Sequence, residues 1–336
     1  MNEKDRKKWL ELYDIADKIK LLEPWRKLYA SDILVYISQK YNIDFYCSVL
    51  GKEDTHTAII IYEGEDIYDF FDYASNNYPS HMFLNYQNYF LCNYITREET
   101  LKENLNIAKE IGKKYRGVWT SFEYFKKGDM PSKLNIKQVD KLIEVLNAFY
   151  SMIKDIVEEK IKVDFEKGYT LVNLYDKEKH MYIKRIQEFI LPQRMYDEVL
   201  VDKYIINDLK GVKRTENQIE YDFLNYLPLY IRDSVDSDGR RYYPLARILA
   251  DKKSGMILIA DMCYKKNYKS QKDYIHESLE KLIDYFIEYG IPKKMYVRDN
   301  QTKAIVKDLL NKMGIQIVVK PNLENIDNLE NGFLRS

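Results

Sequence analysis

Two aspartates near the C-terminus follow apolar segments that are typical of buried strands. Asp261 ends the segment Gly255–Asp261, and Asp299 comes shortly after the segment Met295–Val297. In open α/β sheets, binding and catalysis favour the carboxyl ends of the strands. Carboxylates that converge from neighbouring strands can hold two divalent cations, which activate a nucleophile and stabilise the leaving oxygen. The chemistry that these two residues could support is therefore metal-dependent nucleotidyl transfer.

A two-metal site of this kind needs a third acid. Asp251 lies upstream of Asp261, and the C-terminal segment offers Glu324, Asp327 and Glu330. The candidate catalytic set is Asp261, Asp299 and Glu324.

The acidic residues also have a purely structural interpretation. Asp299 and Asn300 precede a helical segment, and both residue types are good helix N-caps. Asp251 begins the sequence Asp-Lys-Lys-Ser, which is typical of a hairpin turn. Capping and turn formation are the favoured interpretation, and the metal site is the alternative.

No other reactive side chains have the spacing of a familiar site. The histidines form neither an HxH nor an HExxH pair, the cysteines are far apart, and no glycine-rich phosphate loop occurs. We therefore predict neither a bound metal nor an organic cofactor. The residues concerned are His56, His81, His180, His276, Cys47, Cys92 and Cys263.

The charge balance restricts the classes of partner. Lys plus Arg and Asp plus Glu number 53 each, so the net charge is zero. Broad binding to nucleic acid or to an anionic membrane needs a positive excess, which disfavours nucleic acid without excluding it. The odd number of cysteines fits a reducing compartment, and the charged N-terminus lacks the pattern of a signal peptide. We predict a cytoplasmic protein that binds another protein or a small molecule and has no membrane span.

The hydrophobic pattern predicts a mixed α+β domain over residues 1–160. An amphipathic helix over Glu3–Leu22 precedes several strands, and a second strong helix over Asn135–Lys154 closes the domain. Asn135 and Gln138 form a capping-box pattern at the start of that helix. The predicted strands between the helices are Ile33–Ile37, Phe45–Leu50, Thr57–Tyr62, Tyr89–Tyr94 and Val118–Phe125.

The rest of the chain divides at an aspartate-rich stretch, Asp233–Gly239. Residues 161–235 are predicted to hold a hairpin, Gly168–Tyr175 with Met181–Phe189, and a connecting region. Residues 236–336 are predicted to form an α/β unit in the order ββαβαβ, because strands alternate with helices. The predicted fold class is therefore α+β, with an N-terminal mixed domain and a C-terminal α/β unit.

Several short motifs resemble a family of uncharacterised proteins from Firmicutes, of the clostridial type. They are Glu23-Pro24-Trp25, Ser48–Gly51, Trp119–Phe125, Met130-Pro131 and Ile291-Pro292. The resemblance implies an architecture and a bacterial cellular context. It implies no reaction, because the family has no established activity.

The C-terminal unit also resembles ribonuclease-H-like integrases. The resemblance rests on Asp299-Asn300 between a strand and a helix, and on the preceding segment Tyr289–Lys293. Those enzymes place three antiparallel strands before the first helix, with the leading acid on the first strand. Here the sequence predicts only two such strands, with Asp251 in their connecting turn and Asp261 on the second.

Two functions of different classes follow. The first is a non-enzymatic binding or regulatory protein, favoured by the neutral charge and by the lack of catalytic motifs. The alternative is a ribonuclease-H-like, divalent-metal-dependent domain that processes nucleic acid, either active or degenerate. The sequence leaves open whether the protein is an enzyme.

Overall fold

A computed structural model describes residues 1–52, 56–76, 78, 79, 82, 86–229, 234–236 and 239–335. Part of the predicted boundary Asp233–Gly239 lies outside these residues. The chain divides into two compact units. The first comprises residues 1–69, 87–126 and 131–193, and the second comprises residues 70–86, 127–130 and 194–336.

The first unit is built around a seven-stranded mixed sheet. Its strand order is β5-β4-β3-β2-β1-β6-β7, in which only the β1–β6 pair is parallel. The elements up to residue 193 are α1 (Glu3–Leu22), β1 (Leu34–Ser38), β2 (Ile43–Leu50), β3 (Thr57–Glu63), α2 (Ile67–Ser75), β4 (Tyr89–Ile95), α3 (Lys102–Glu110), β5 (Trp119–Phe125), α4 (Ile136–Val157), β6 (Tyr169–Asp176) and β7 (Met181–Glu188).

Helices α1 and α4 supply much of the hydrophobic core of this unit. Leu12 and Ile19 of α1 and Leu146 and Phe149 of α4 are fully buried in one cluster with residues of the sheet. The predicted capping box of α4 is confirmed, because Asn135 accepts from the backbone N–H of Gln138 and the Gln138 side chain accepts from that of Asn135. The amphipathic period and the cap together fix where this helix starts and which face it buries.

The predicted hairpin of residues 168–189 is present as β6 and β7. Strand β6 pairs with β1, so the hairpin extends the first sheet and β7 forms its edge. The parallel β1–β6 pair is compatible with the long connection between these strands, which contains α4.

The second unit contains a five-stranded sheet in the order β10-β9-β8-β11-β12. Strands β8, β9 and β10 are antiparallel, whereas β11 and β12 run parallel to β8. The elements are α5 (Lys203–Leu209), β8 (Gln218–Tyr226), β9 (Leu245–Asp251), β10 (Ile257–Cys263), α6 (Gln271–Tyr289), β11 (Lys294–Val297), α7 (Asn300–Lys312), β12 (Gln316–Val319) and α8 (Glu324–Arg335).

The predicted ββαβαβ order is present as β9 to β12, but a further strand precedes it. The sequence predicts two antiparallel strands before the first helix of this unit, and β8 makes them three. Strand β8 lies at the centre of the sheet, between β9 and β11. It was missed because one of its buried faces carries the polar side chains Glu220, Asp222 and Asn225.

The two faces of this sheet are covered by different helices. Tyr221 and Phe223 of β8 pack in the cluster that contains buried residues of α6 and α7. On the other face, Ala246 and Ile248 of β9 pack against Ile326 of α8. Successive strand residues point to opposite faces, so the polar residues of β8 lie on the α8 face. No helix of the described residues has both the length and the apolar character that a membrane span requires.

Candidate functional site

A buried arginine lies at the carboxyl end of β11, among three carboxylates. Arg298 is 1% exposed, and its Nε donates to Asp222 Oδ2 at 2.5 Å. Its Nη1 lies 2.8 Å from Asp327 Oδ1, and its Nη2 lies 3.4 Å from Glu330 Oε1. The Asp327 contact is an ion pair without hydrogen-bond geometry, and Nη1 donates a hydrogen bond to the carbonyl of Pro321 at 2.8 Å. We call Arg298, Asp222, Asp327 and Glu330 the Arg298 cluster.

The sheet register explains why Asp222 and Arg298 meet. Val297 of β11 is level with Tyr221 of the parallel neighbour β8. The next residues, Arg298 and Asp222, are therefore side by side, and Asp222 points to the α8 face. Asp327 and the fully buried Glu330 are three residues apart on α8, so they share one face of that helix. Two strands and one helix thus position the four side chains.

A chain of hydrogen bonds continues from Glu330 into the interior of the second unit. Asn225 Nδ2 donates to Glu330 Oε1, and Tyr86 Oη donates to Asn225 Oδ1 at 2.7 Å. Tyr86 Oη in turn accepts from the backbone N–H of Tyr226 at 2.5 Å. The β8–β9 register shifts between Asp222 and Asn225, and this irregularity allows Asn225, three residues after Asp222, to reach the same face of the sheet.

The Arg298 cluster holds three carboxyl groups and one guanidinium. Burial and the neighbouring charges shift the pKa values of Asp222, Glu330 and Arg298. Burial raises the pKa of Glu330 to about 8; Arg298 opposes this shift, and Asp222 adds to it. Burial also raises the pKa of Asp222, although Arg298 lowers it. For Arg298, burial disfavours the charged form, but the neighbouring carboxylates more than offset this and raise its pKa well above the usual value. At neutral pH we therefore expect a charged guanidinium and a protonated Glu330.

Asp299, the second candidate residue, caps a helix. It is the N-cap of α7, and its Oδ1 accepts from the backbone N–H of Thr302 at 2.6 Å. This is the role that the capping interpretation predicts. The carboxylate of Asp299 is also close enough to Asp222 to help raise the pKa of Asp222, after the larger effect of burial. Asp299 thus lies at the margin of the Arg298 cluster.

Asp261, the first candidate residue, belongs to a different set of contacts. Its Oδ2 lies 3.2 Å from Nη1 of the buried Arg247 of β9. The same Nη1 lies 3.0 Å from Oε1 of Glu277 on α6, and Arg247 Nε donates to Ser278 Oγ at 3.1 Å. Asp261 therefore faces α6, on the opposite side of the sheet from the Arg298 cluster.

The three candidate residues do not converge on one point. Asp261 is on edge strand β10, three strand positions from β11, which corresponds to about 14 Å at the usual strand spacing. Glu324 is exposed at the start of α8, and its Oε2 lies 3.4 Å from Lys252 Nζ. Asp251 stabilises the β9–β10 turn, because its Oδ1 accepts from the backbone N–H groups of Lys253 and Ser254. Among the described residues, no group of three or more His, Cys, Asp or Glu side chains is placed to hold a metal ion.

Asp222 and Arg298 are not among the site residues predicted from the sequence. A usable signal was present in the segment 219–223, Ile-Glu-Tyr-Asp-Phe, because apolar and acidic residues alternate there. Such alternation predicts a strand, and it places Asp222 on a face that carries a second acid. Arg298 carried no comparable signal, since its partners lie between 23 and 76 positions away in the sequence.

The capping role of Asp299 leads to a stability prediction. We expect Asp299→Ala to lower the free energy of unfolding by about 1 kcal/mol, because the first turn of α7 loses a side-chain acceptor. Asn300→Ala is the matched control, since Asn300 is the exposed first residue of α7, and it should change stability less. Urea unfolding in EDTA measures both variants. A clear stabilisation by Asp299→Ala would instead indicate carboxylates that are crowded to receive a cation.

Two protein-family models match separate parts of the chain. A domain of unknown function, DUF7309, matches residues 9–173, and a second domain of unknown function, DUF6930, matches residues 205–334. No curated protein is similar enough to the chain to be matched with it. The second match runs from α5 to α8 and contains every residue of the Arg298 cluster. The cluster thus lies in the part of the chain that is similar to DUF6930.

Proposed function

We propose that the second unit is a non-enzymatic binding domain that has kept the strand order of ribonuclease-H-like enzymes. Three antiparallel strands precede the first helix, and two further strands run parallel to the first of the three. An acid on the leading strand, an acid after β11 and acids on the last helix are the positions from which such enzymes hold their cations. Asp222, Asp299 and the pair Asp327 and Glu330 occupy them here.

One observation carries the proposal: Arg298 provides the positive charge at this position. Its guanidinium contacts Asp222, Asp327 and Glu330, and the exposed fraction of its side chain is 2%. A cation that bridged these carboxylates would have to displace a buried, hydrogen-bonded arginine. Displacement would leave the guanidinium without its ion pairs, which costs several kcal/mol for a buried charge.

The alternative is an active, metal-dependent domain that processes nucleic acid. The strand order favours it, and so does the electrostatic interaction between Asp299 and Asp222. It requires Arg298 to leave the carboxylates, and it requires a positively charged surface for the substrate in a chain of zero net charge. Both requirements make the binding domain the better account.

The proposed partner is another protein or a small molecule in the bacterial cytoplasm. Cys47, Cys92 and Cys263 are buried free thiols, which suit a reducing compartment. The resemblance of several sequence motifs to uncharacterised Firmicutes proteins supports the same cellular setting.

The proposal predicts no metal-dependent chemistry. We expect millimolar Mg²⁺ or Mn²⁺ neither to raise the melting temperature of the full chain nor to support cleavage of single-stranded or duplex DNA or RNA, because the guanidinium of Arg298 already occupies the position among the acids that a cation would take. The assay is run beside Asp222→Asn and Asp299→Ala, with folding checked by circular dichroism. Divalent-dependent nicking by the wild-type chain that both variants lose would establish the alternative.

A further inference from the structure

Strand β7 leaves one side of the first sheet open. It is the terminal strand of the sheet, and most of its residues are exposed. The exposed residues include apolar ones: Met181 is 55% exposed, Ile186 is 48% exposed, and Ile190, just past the strand, is 76% exposed. Open edges of this kind pair readily with a further strand.

The hydrogen bonding to β6 shows which backbone groups face outward. The backbone N–H of Phe189 donates to the carbonyl of Gly168 at 2.8 Å. In an antiparallel pair the residues alternate between bonding to the partner and pointing away from it. The backbone groups of Lys184, Ile186 and Glu188 therefore point away from β6, toward the open edge.

We propose that β7 pairs with β7 of a second copy of this chain, in an antiparallel register centred on Ile186. A two-fold axis at Ile186 places it opposite itself and Lys184 opposite Glu188 of the second copy. The outward-facing residues then face each other and can exchange backbone hydrogen bonds. The two first sheets join into one continuous sheet across the dimer.

The charged and apolar side chains of β7 favour the register centred on Ile186 over registers centred on nearby residues. Axes at Lys184 or at Glu188 would place identical charges opposite each other. An axis at Arg185 does the same for that residue, and an axis at Gln187 sets Ile186 opposite Glu188. Like charges directly opposite each other destabilise a sheet, whereas opposite charges and apolar pairs stabilise it. The Ile186 axis places Lys184, whose ammonium stays bound to Asp155 of its own chain, opposite Glu188 of the second copy at two positions, and it sets the two isoleucines opposite each other.

The other face of β7 is also self-complementary in this register. Arg185 faces Gln187 of the second copy, and Ile183 faces Phe189 of the second copy. Phe189 already lies in edge contact with Tyr46 of β2, with ring centroids 6.2 Å apart, so its position is fixed within one copy. Both faces of the joined strands would therefore place compatible side chains together.

The ammonium group of Lys184, which could prevent another strand from pairing with β7, is bound within its own chain. Lysines on edge strands usually discourage pairing because they project into the open side. The ammonium of Lys184 instead contacts Asp155 of α4 and donates to the carbonyl of Ser151 at 2.9 Å. Lys184 therefore leans toward α4, and the backbone edge of β7 stays accessible.

Sedimentation equilibrium of the full chain tests the dimer. We expect a reversible dimer of twice the 40.4 kDa monomer mass. Ile186→Lys places two ammonium groups on the two-fold axis and should weaken the dimer by at least about tenfold. Leu21→Lys is the matched control, since Leu21 is an 83% exposed apolar residue at the end of α1, and it should leave the dimer unchanged. A monomer at all concentrations, or an Ile186→Lys variant that dimerises normally, would overturn the proposal.

A charge exchange tests the register itself. Lys184→Glu and Glu188→Lys each create like-charge pairs when the variant pairs with itself, so each alone should dimerise weakly. A mixture of the two restores both opposite-charge pairs and should form the heterodimer preferentially. Circular dichroism and the melting temperature of each variant check that its fold is intact. A mixture that associates no better than the separate variants would contradict a register centred on Ile186.

Discussion

Replacing Arg298 with alanine is expected to lower the free energy of unfolding by about 3–5 kcal/mol, the usual cost of removing one partner from a buried ion pair. The loss is large because Asp222 and Glu330 would stay buried without their positive partner. The hydrogen bond from the guanidinium to the Pro321 carbonyl would also be lost. Urea unfolding of the full chain measures the change.

Two further variants separate charge from shape at this position. Arg298→Lys keeps the positive charge but cannot reach three carboxylates and a carbonyl at once, so its loss should be intermediate. Arg240→Ala removes an exposed arginine of the same unit and should change stability little. A loss for Arg298→Ala no larger than that for Arg240→Ala would show that the cluster does not stabilise the second unit.

The second large effect is a pH dependence that arises from Glu330. Its pKa is raised from 4.5 to about 8, chiefly by burial, so the folded chain holds a proton that the unfolded chain has lost. The stabilisation is complete below pH 4.5 and is lost as the pH rises through about 8. Between these limits the contribution falls by at most about 1.4 kcal/mol per pH unit.

Glu330→Gln isolates this contribution. Glutamine imitates the protonated acid and does not titrate, so the stability of the wild-type chain relative to the variant should fall as the pH rises from 5 to 9. The comparison cancels the histidines and the exposed acids, which titrate alike in both proteins. A difference in unfolding free energy that stays constant with pH, or that rises, would mean that Glu330 is ionised in the folded chain.

Much of the fold follows from local patterns in the sequence. Helix α4 is predicted from its apolar period and its capping box, and the β9–β10 hairpin from the turn at Asp251. These features depend on residues that are close together in the chain. Strand β8 was missed because its polar face is buried by partners far away in the sequence, under α8 and beside β11. A polar residue inside a strand looks exposed until those partners are known.

The site was predicted less well than the fold, for the same reason. Asp299 was identified from the strand–helix junction, and its capping role is local. Glu324 was chosen as the third acid, but the helical period of α8 points Asp327 and Glu330 toward Arg298. Choosing Asp327 or Glu330 instead of Glu324 requires knowledge of which face of α8 packs against the sheet. Asp261 was expected to lie near Asp299, but β10 is three strand positions from β11 and its aspartate faces α6.

The most direct test of the account is Mn²⁺ binding by the full chain, measured by electron paramagnetic resonance on the wild-type protein and on Arg298→Ala. If Arg298 takes the place of cations among Asp222, Asp327 and Glu330, the wild-type chain should bind no Mn²⁺ at this site. The variant should bind it and regain part of its lost stability, because the cation then offsets the charge of the carboxylates that have lost the guanidinium. Stoichiometric Mn²⁺ binding by the wild-type chain that is lost in Asp222→Asn would contradict the account.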